Sequence, residues 1–99
     1  MRLRWTAGAA DDLERITEYL FDETPQHAAR IIRSLYNAIS ALKSFPNRGR
    51  PGKKPGTREL VVRPLPYIAV YQVSGDAGYV ARILHGAQKC RINLPSERR

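Results

Sequence analysis

RELVVRPLPYIAVYQVSGDAGYVARILH, residues 58–85, is the stretch on which the fold turns. Within it Arg58 to Arg63, Tyr67 to Val73 and Tyr79 to His85 are rich in Val, Ile, Leu and Tyr, which suit a pleated, half-buried surface. Pro64-Leu65-Pro66 and Ser74-Gly75-Asp76-Ala77-Gly78 interrupt them, so the three runs read as an antiparallel meander. Strict alternation in the last run puts Val80, Arg82 and Leu84 on one face and Tyr79, Ala81, Ile83 and His85 on the other.

Immediately upstream, from Pro46 to Gly56, six of eleven residues are Pro or Gly and four are basic. The expectation there is a basic surface loop with no regular element. Farther back, Thr24-Pro25 reads as the N-cap and first position of a helix, where a missing N–H costs nothing. Its apolar stripe, Ala28, Ile32, Leu35, Ile39 and Leu42, continues to Phe45. Thr6 can cap an earlier helix whose stripe is Ala9, Leu13, Ile16 and Leu20. Arg2-Leu3-Arg4-Trp5 alternates charged and apolar residues, the pattern of a short strand burying Leu3 and Trp5. The order is therefore β-α-α-β-β-β. The expected class is α+β, a helix hairpin packed on one face of a small, mainly antiparallel four-stranded sheet. Residues 1–90 are expected to form a single domain, and residues 91–99, all but devoid of apolar patterning, a flexible tail.

Charge is the most informative part of the composition. The 99 residues hold 17 Lys and Arg against 9 Asp and Glu, a net charge of +8. The first 45 residues are neutral, so the whole excess falls in residues 46–99 and points to an acidic partner, nucleic acid or protein. With one cysteine, Cys90, no intrachain disulfide can form, and a reducing cytoplasm is the expected location. The longest apolar runs are far below the ~20 residues of a membrane helix, so no membrane association is expected.

A search for chemistry narrows to basic residues. One Cys with His27 and His85 on different elements offers no zinc pattern, and neither a metal nor another cofactor is expected. Gly49-Arg50-Pro51-Gly52-Lys53-Lys54 lacks the Gly-Lys-Ser/Thr end of a phosphate-binding loop. Cys90 and His85 lack an orienting third group for nucleophilic catalysis. Asp11, Asp12, Glu14 and Glu18 read as solvated partners of the first helix's dipole and of Arg15. Metal-free RNA cleavage needs cations around a charged transition state and groups to move protons, and Arg58, Arg63, Arg82, His85 and Tyr67 are of those types. The plainer alternative is that Arg58 and Arg63 solubilise strand ends, Arg82 pairs with an acid such as Glu59, and Tyr67 and Tyr71 fill a sheet face. For the loop, Arg48, Arg50, Lys53 and Lys54 read either as a clamp for phosphate or acidic protein, or as a solvated connection.

Five segments in order resemble the RelE/ParE superfamily of toxins from bacterial type II toxin–antitoxin modules. They are Ala10-Asp11-Asp12-Leu13-Glu14-Arg15-Ile16 with Tyr19, Phe45-Pro46-Asn47-Arg48-Gly49-Arg50-Pro51, Gly56-Thr57-Arg58, Tyr67-Ile68-Ala69-Val70-Tyr71 and Arg82-Ile83-Leu84-His85-Gly86. The resemblance implies the same β-α-α-β-β-β arrangement. It also implies one of two activities. RelE-type members cleave mRNA on the ribosome with basic residues that, transferred here, fall at Glu59, Val61, Ile68 and near Ala87, none of them cationic. ParE-type members, which Arg82-Ile83-Leu84-His85-Gly86 and the Leu13/Ile16/Tyr19 pattern resemble more closely, inhibit DNA gyrase without a reaction of their own. The resemblance to that branch implies a cognate antitoxin with a DNA-binding domain and an acidic tail, joined with the toxin in a hetero-oligomer. Arg48, Arg50, Lys53, Lys54, Arg58, Arg63, Tyr67, Arg82 and His85 are the candidate contacts for antitoxin or target. The alternative is a ribosome-dependent endoribonuclease using Arg58, Arg63, Arg82 and His85.

Overall fold

The computed structural model describes residues 1–63 and 65–86. Cys90, the position near Ala87 and the expected tail at 91–99 lie outside the described residues. The elements in chain order are β1 (Arg2–Trp5), α1 (Ala7–Glu23), α2 (Pro25–Ser40), a 3₁₀ turn (Ala41–Lys43), β2 (Arg50–Pro51), β3 (Thr57–Val62), β4 (Tyr67–Ser74) and β5 (Ala77–His85).

The helices start where local chemistry allows. Thr6 Oγ1 accepts the Ala9 amide at 3.1 Å, which satisfies one of the unpaired N–H groups at the start of α1. Pro25 opens α2 as expected, but Thr24 makes no side-chain cap bond; its carbonyl accepts the His27 amide instead. Helix α2 ends at Ser40, and its last apolar residue, Leu42, is buried from the tighter 3₁₀ turn rather than from a continuous helix reaching Phe45.

The sheet has five strands in the order β1-β5-β4-β3-β2, with β1 parallel to β5 and every other pair antiparallel. The expected four-strand count is corrected by β2. Arg50 pairs with Glu59 and Pro51 with Arg58, so the Pro/Gly-rich loop does enter the sheet. A proline can sit there because β2 is an edge strand whose outer side needs no ladder bond. The β4–β5 turn is also tighter than the sequence suggested. Ser74 pairs with Ala77, leaving only Gly75 and Asp76 between, and Gly75 takes φ +60°, a conformation that favours glycine.

One irregularity reorients the last strand. Val70 pairs with Arg82 but Tyr71 pairs with Val80, so Ala81 is an extra residue in β5. The bulge reverses the alternation beyond it. Val80 and Ile83 therefore share the core face, instead of Val80 sharing a face with Arg82 and Leu84. The core lies between this face and the helices: Ala9, Leu35, Ile39 and Leu42 meet Leu60, Val62, Tyr67, Ala69, Tyr71, Val80 and Ile83, with Leu3, Trp5, Leu13 and Ile16 packed around them.

Candidate functional site

The sequence-derived arginines separate into structural and available groups. Arg82 belongs to the first. Its Nε lies 2.6 Å from Asp12 Oδ2 and its Nη2 3.2 Å from Oδ1. Asp12 also accepts the Ile83 amide at 2.9 Å and Arg15 Nη2 at 3.4 Å. Burial alone would raise the Asp12 pKa; the hydrogen bonds from Arg82 and the Ile83 amide, with the Arg82 charge and Arg15, outweigh it and hold the carboxyl below its ordinary 3.8. The hydrogen bond to Asp12 in turn raises the Arg82 pKa. Asp12 is corrected from solvated to 5% exposed, while Arg82 does pair with an acid, Asp12 in place of Glu59. The cause is topological: β1 covers β5 only to Val80, and α1 covers the edge beyond, with Thr6 Oγ1 donating to the Ala81 carbonyl and Asp12 receiving Ile83. A signal for Asp12 was present, since Ala9, Asp12, Leu13, Ile16 and Leu20 all fall on one helical stripe.

Arg58 is likewise engaged. Its Nη1 donates to the Gly49 carbonyl at 2.7 Å and to the Asn47 carbonyl at 3.5 Å, tying the loop to β3. Tyr71, fully buried, completes the tie: its hydroxyl donates to the Pro46 carbonyl at 2.7 Å and accepts the Gly49 amide at 2.9 Å. No side chain fits at Gly49, because a Cβ would come within 2.8 Å of the Tyr71 ring. The sequence offers Tyr71 as a residue filling the sheet face; that the loop hangs on its hydroxyl has no signal in local spacing.

Arg48, Arg50 and Arg63 come together. With Glu59, Leu60 and Val61 they line an open depression of about 320 Å³ beside β2 and β3. By alternation Glu59, Val61 and Arg63 are on the sheet face turned away from the helices. Arg50 pairs with Glu59, both Nε and Nη2 lying 3.2 Å from Oε1. Arg48 lies over the Phe45 ring, 5.4 Å from its centre, and the ring is 59% exposed. Phe45, Pro46, Asn47 and Arg48 line a second depression of about 410 Å³ that shares Arg48 with the first. Lys53 and Lys54 are exposed on the turn between β2 and β3.

Tyr67 and His85 form a third group. Their rings meet edge to face at 5.6 Å, and burial, with Tyr19 nearby, pushes the Tyr67 phenol above its ordinary 10.0. Because β5 and β2 are separated by β4 and β3, Arg82 does not join the Arg48/Arg50/Arg63 cluster. On the helix side, Trp5, Ala10, Leu13, Glu14, Thr17, Glu18 and Tyr36 line an open, mostly apolar groove of about 570 Å³, with Trp5 and Tyr36 stacked at 6.0 Å. Among the described residues no group of His, Cys, Asp and Glu is placed to hold a metal, and no helix is long and apolar enough to cross a membrane.

Comparison with known proteins agrees with this architecture. The family described as the ParE toxin of type II toxin–antitoxin system parDE matches residues 3–90. The Y4kP protein of Sinorhizobium fredii is 38% identical over 88 residues, covering 89% of this chain and 91% of that protein. Toxin RelE2 of Caulobacter vibrioides is 37% identical over 84 residues, covering 85% and 93%. A solved structure of a chromosomal ParDE toxin–antitoxin system from P. aeruginosa superimposes with a TM-score of 0.79 at 30% identity, covering 86% of this chain and 95% of that one. The helix hairpin on its mainly antiparallel sheet, the family match and the extent of these likenesses agree: the chain belongs to the ParE toxin family, within the RelE/ParE superfamily of type II toxin–antitoxin toxins.

Proposed function

We propose that this toxin acts in the ParE manner, as a non-enzymatic inhibitor of DNA gyrase in the cytoplasm, neutralised by a cognate antitoxin. The observation that carries the reading is the engagement of Arg58 and Arg82 by the protein's own groups. A nuclease needs cations directed at a developing negative charge, and losing even one such donor costs on the order of 100-fold. Arg82 is held by Asp12, Arg58 is spent on loop carbonyls, and Glu59, Val61 and Ile68 occupy positions that RelE-type chemistry fills with cations. What remains is surface suited to docking.

The antitoxin fits the same distribution. It would carry a DNA-binding domain and an acidic tail, the tail lying along the helix groove and over the basic face to form a hetero-oligomer. Solved relatives include ParDE and RelBE2 assemblies, which supports that partner. The direct test is a gyrase supercoiling and cleavage assay with purified toxin. Inhibition with accumulation of cleaved DNA is expected, reversed by the antitoxin; normal gyrase activity at saturating toxin would sink the reading.

The second reading, a ribosome-dependent endoribonuclease, draws on the likeness to the RelE2 toxin and on the Tyr67–His85 ring contact. It requires codon-positioned cuts in translated mRNA on induction, abolished by His85→Ala. Toxicity without such cuts ends it.

A further inference from the structure

We propose that the face formed by Phe45, Arg48, Arg50 and Arg63 binds a single-stranded segment of DNA, a base stacking against Phe45 and an adjacent phosphate taken by the arginines. The inference deepens the gyrase reading and rests on it for the choice of DNA.

Two adjoining depressions carry the argument. One offers Phe45, which is 59% exposed and presents aromatic surface on which a base can stack. The Arg48 guanidinium lies over that ring at 5.4 Å, so a cation already sits at the aromatic platform. The other gathers Arg48, Arg50 and Arg63 within a single concavity. Arg48 belongs to both, which sets an aromatic platform and a cationic cradle side by side, the two kinds of group that a base and a neighbouring phosphate require. An acidic peptide would use the arginines but has no need of the exposed ring. A duplex buries its base faces and could not use the ring at all. The site is also prebuilt: Tyr71 holds the Pro46 carbonyl and the Gly49 amide, and Arg58 holds the Gly49 carbonyl, so the loop bearing Arg48 is fixed before anything binds. Glu59 holds Arg50 in place through its Nε and Nη2.

The test uses the whole toxin and fluorescence anisotropy with labelled oligothymidine, oligouridine, a duplex of matched length and an oligoglutamate peptide. Oligothymidine is expected to bind most tightly, with salt-dependent affinity. Phe45→Ala should weaken it by about tenfold or more, the usual loss of a base–aromatic stack, while Phe45→Leu shows whether apolar bulk alone suffices. Arg48→Ala with Arg63→Ala should lower the salt slope by up to about 0.7, the contribution of the one phosphate the arginines take. Lys53→Ala with Lys54→Ala removes the same charge from residues that line neither depression and should weaken binding less. Equal loss in the two double variants, no effect of Phe45→Ala, or equal binding of duplex or peptide overturns the proposal; tighter binding of oligouridine overturns the choice of DNA. A gyrase assay on the same variants separates the two claims. Inhibition that survives without oligothymidine binding removes this site and leaves the gyrase reading standing, whereas binding without inhibition does the reverse.

Discussion

Two arginine–carboxylate pairs sit at two seams of this protein, and they do different work. At the α1–β5 seam, Asp12 lies seventy residues from Arg82 and joins the first helix to the last strand. At the loop–β3 seam, Glu59 lies nine residues from Arg50 and joins neighbouring segments. Both carboxylates are nearly buried, at 5% and 6% exposure. Asp12, however, receives two donors from Arg82, one from Arg15 and a backbone amide, spread over both its oxygens. Arg50 approaches Glu59 through one oxygen, at 3.2 Å. A carboxylate that satisfies a strand's edge amide is part of the fold. One that steadies an exposed guanidinium shapes a surface. The comparison separates Arg82, held by a carboxylate that also caps a strand edge, from Arg50, which lines the proposed binding face with Arg48 and Arg63.

The largest expected effect follows from breaking the first seam. Asp12→Asn turns an acceptor-only group into one that points N–H donors at Arg82 or at the Ile83 amide. The expected loss is about 2–3 kcal/mol, less than for a fully buried pair because the Arg82 side chain is 53% exposed. In a domain this size that lowers Tm by roughly 10 °C or more, measurable by thermal or urea denaturation. The pH dependence has a definite sign. Asp12 titrates lower in the folded state than its ordinary 3.8, so its stabilisation is complete above about pH 4 and is lost as pH falls below that. Wild-type stability should therefore fall more steeply than that of Asp12→Asn on acidification from pH 4 downward. Parallel curves would mean that Asp12 is not the coupled group.

Most of the fold was legible in residues 2–85, because apolar periodicity records burial directly. The stripe from Ala9 to Leu20 and the runs around Val62, Ala69 and Ile83 each mark a buried face. Three features were not legible, each for a physical reason. The bulge at Ala81 has no residue-type signature, and its effect is to invert alternation, so parity put Arg82 on the wrong face. Strand β2 is only Arg50–Pro51 inside a Pro/Gly segment, and it forms because Tyr71 and Arg58 hold the preceding loop against the sheet. Those are contacts across 22 and nine residues, beyond the reach of local propensity. At the candidate site the sequence offers residue types alone, whereas whether an arginine is held by the fold depends on its partner, and Asp12 becomes that partner for Arg82 only through the α1–β5 packing.

Tyr71 tests the second seam more severely than Glu59 does. Tyr71→Phe keeps the buried ring and removes one hydroxyl, leaving the Pro46 carbonyl and the Gly49 amide without that partner. A loss of about 1–2 kcal/mol is expected by denaturation. If the loop is held this way, hydrogen exchange at the Gly49 amide should also accelerate more than at amides of the core strands. A loss as large as that of Asp12→Asn would mean that the loop is as integral to the fold as the helix seam.

The smallest effect is expected at Arg50. Its side chain is 55% exposed, so its pair with Glu59 is partly hydrated and screened by salt. Arg50→Ala should cost less than about 1 kcal/mol, with most of that difference vanishing at high salt. The contrast with Asp12→Asn is the sharpest check on the two-seam picture, because the carboxylates are similarly buried while Asp12 also receives the edge amide of β5. A small, salt-sensitive loss at Arg50 beside a large one at Asp12 assigns the difference to the strand-edge amide and the second arginine, Arg15, that Asp12 receives. Equal losses would show that carboxylate burial alone sets the cost, and that Arg50 is then as structural as Arg82 and no freer to take a phosphate.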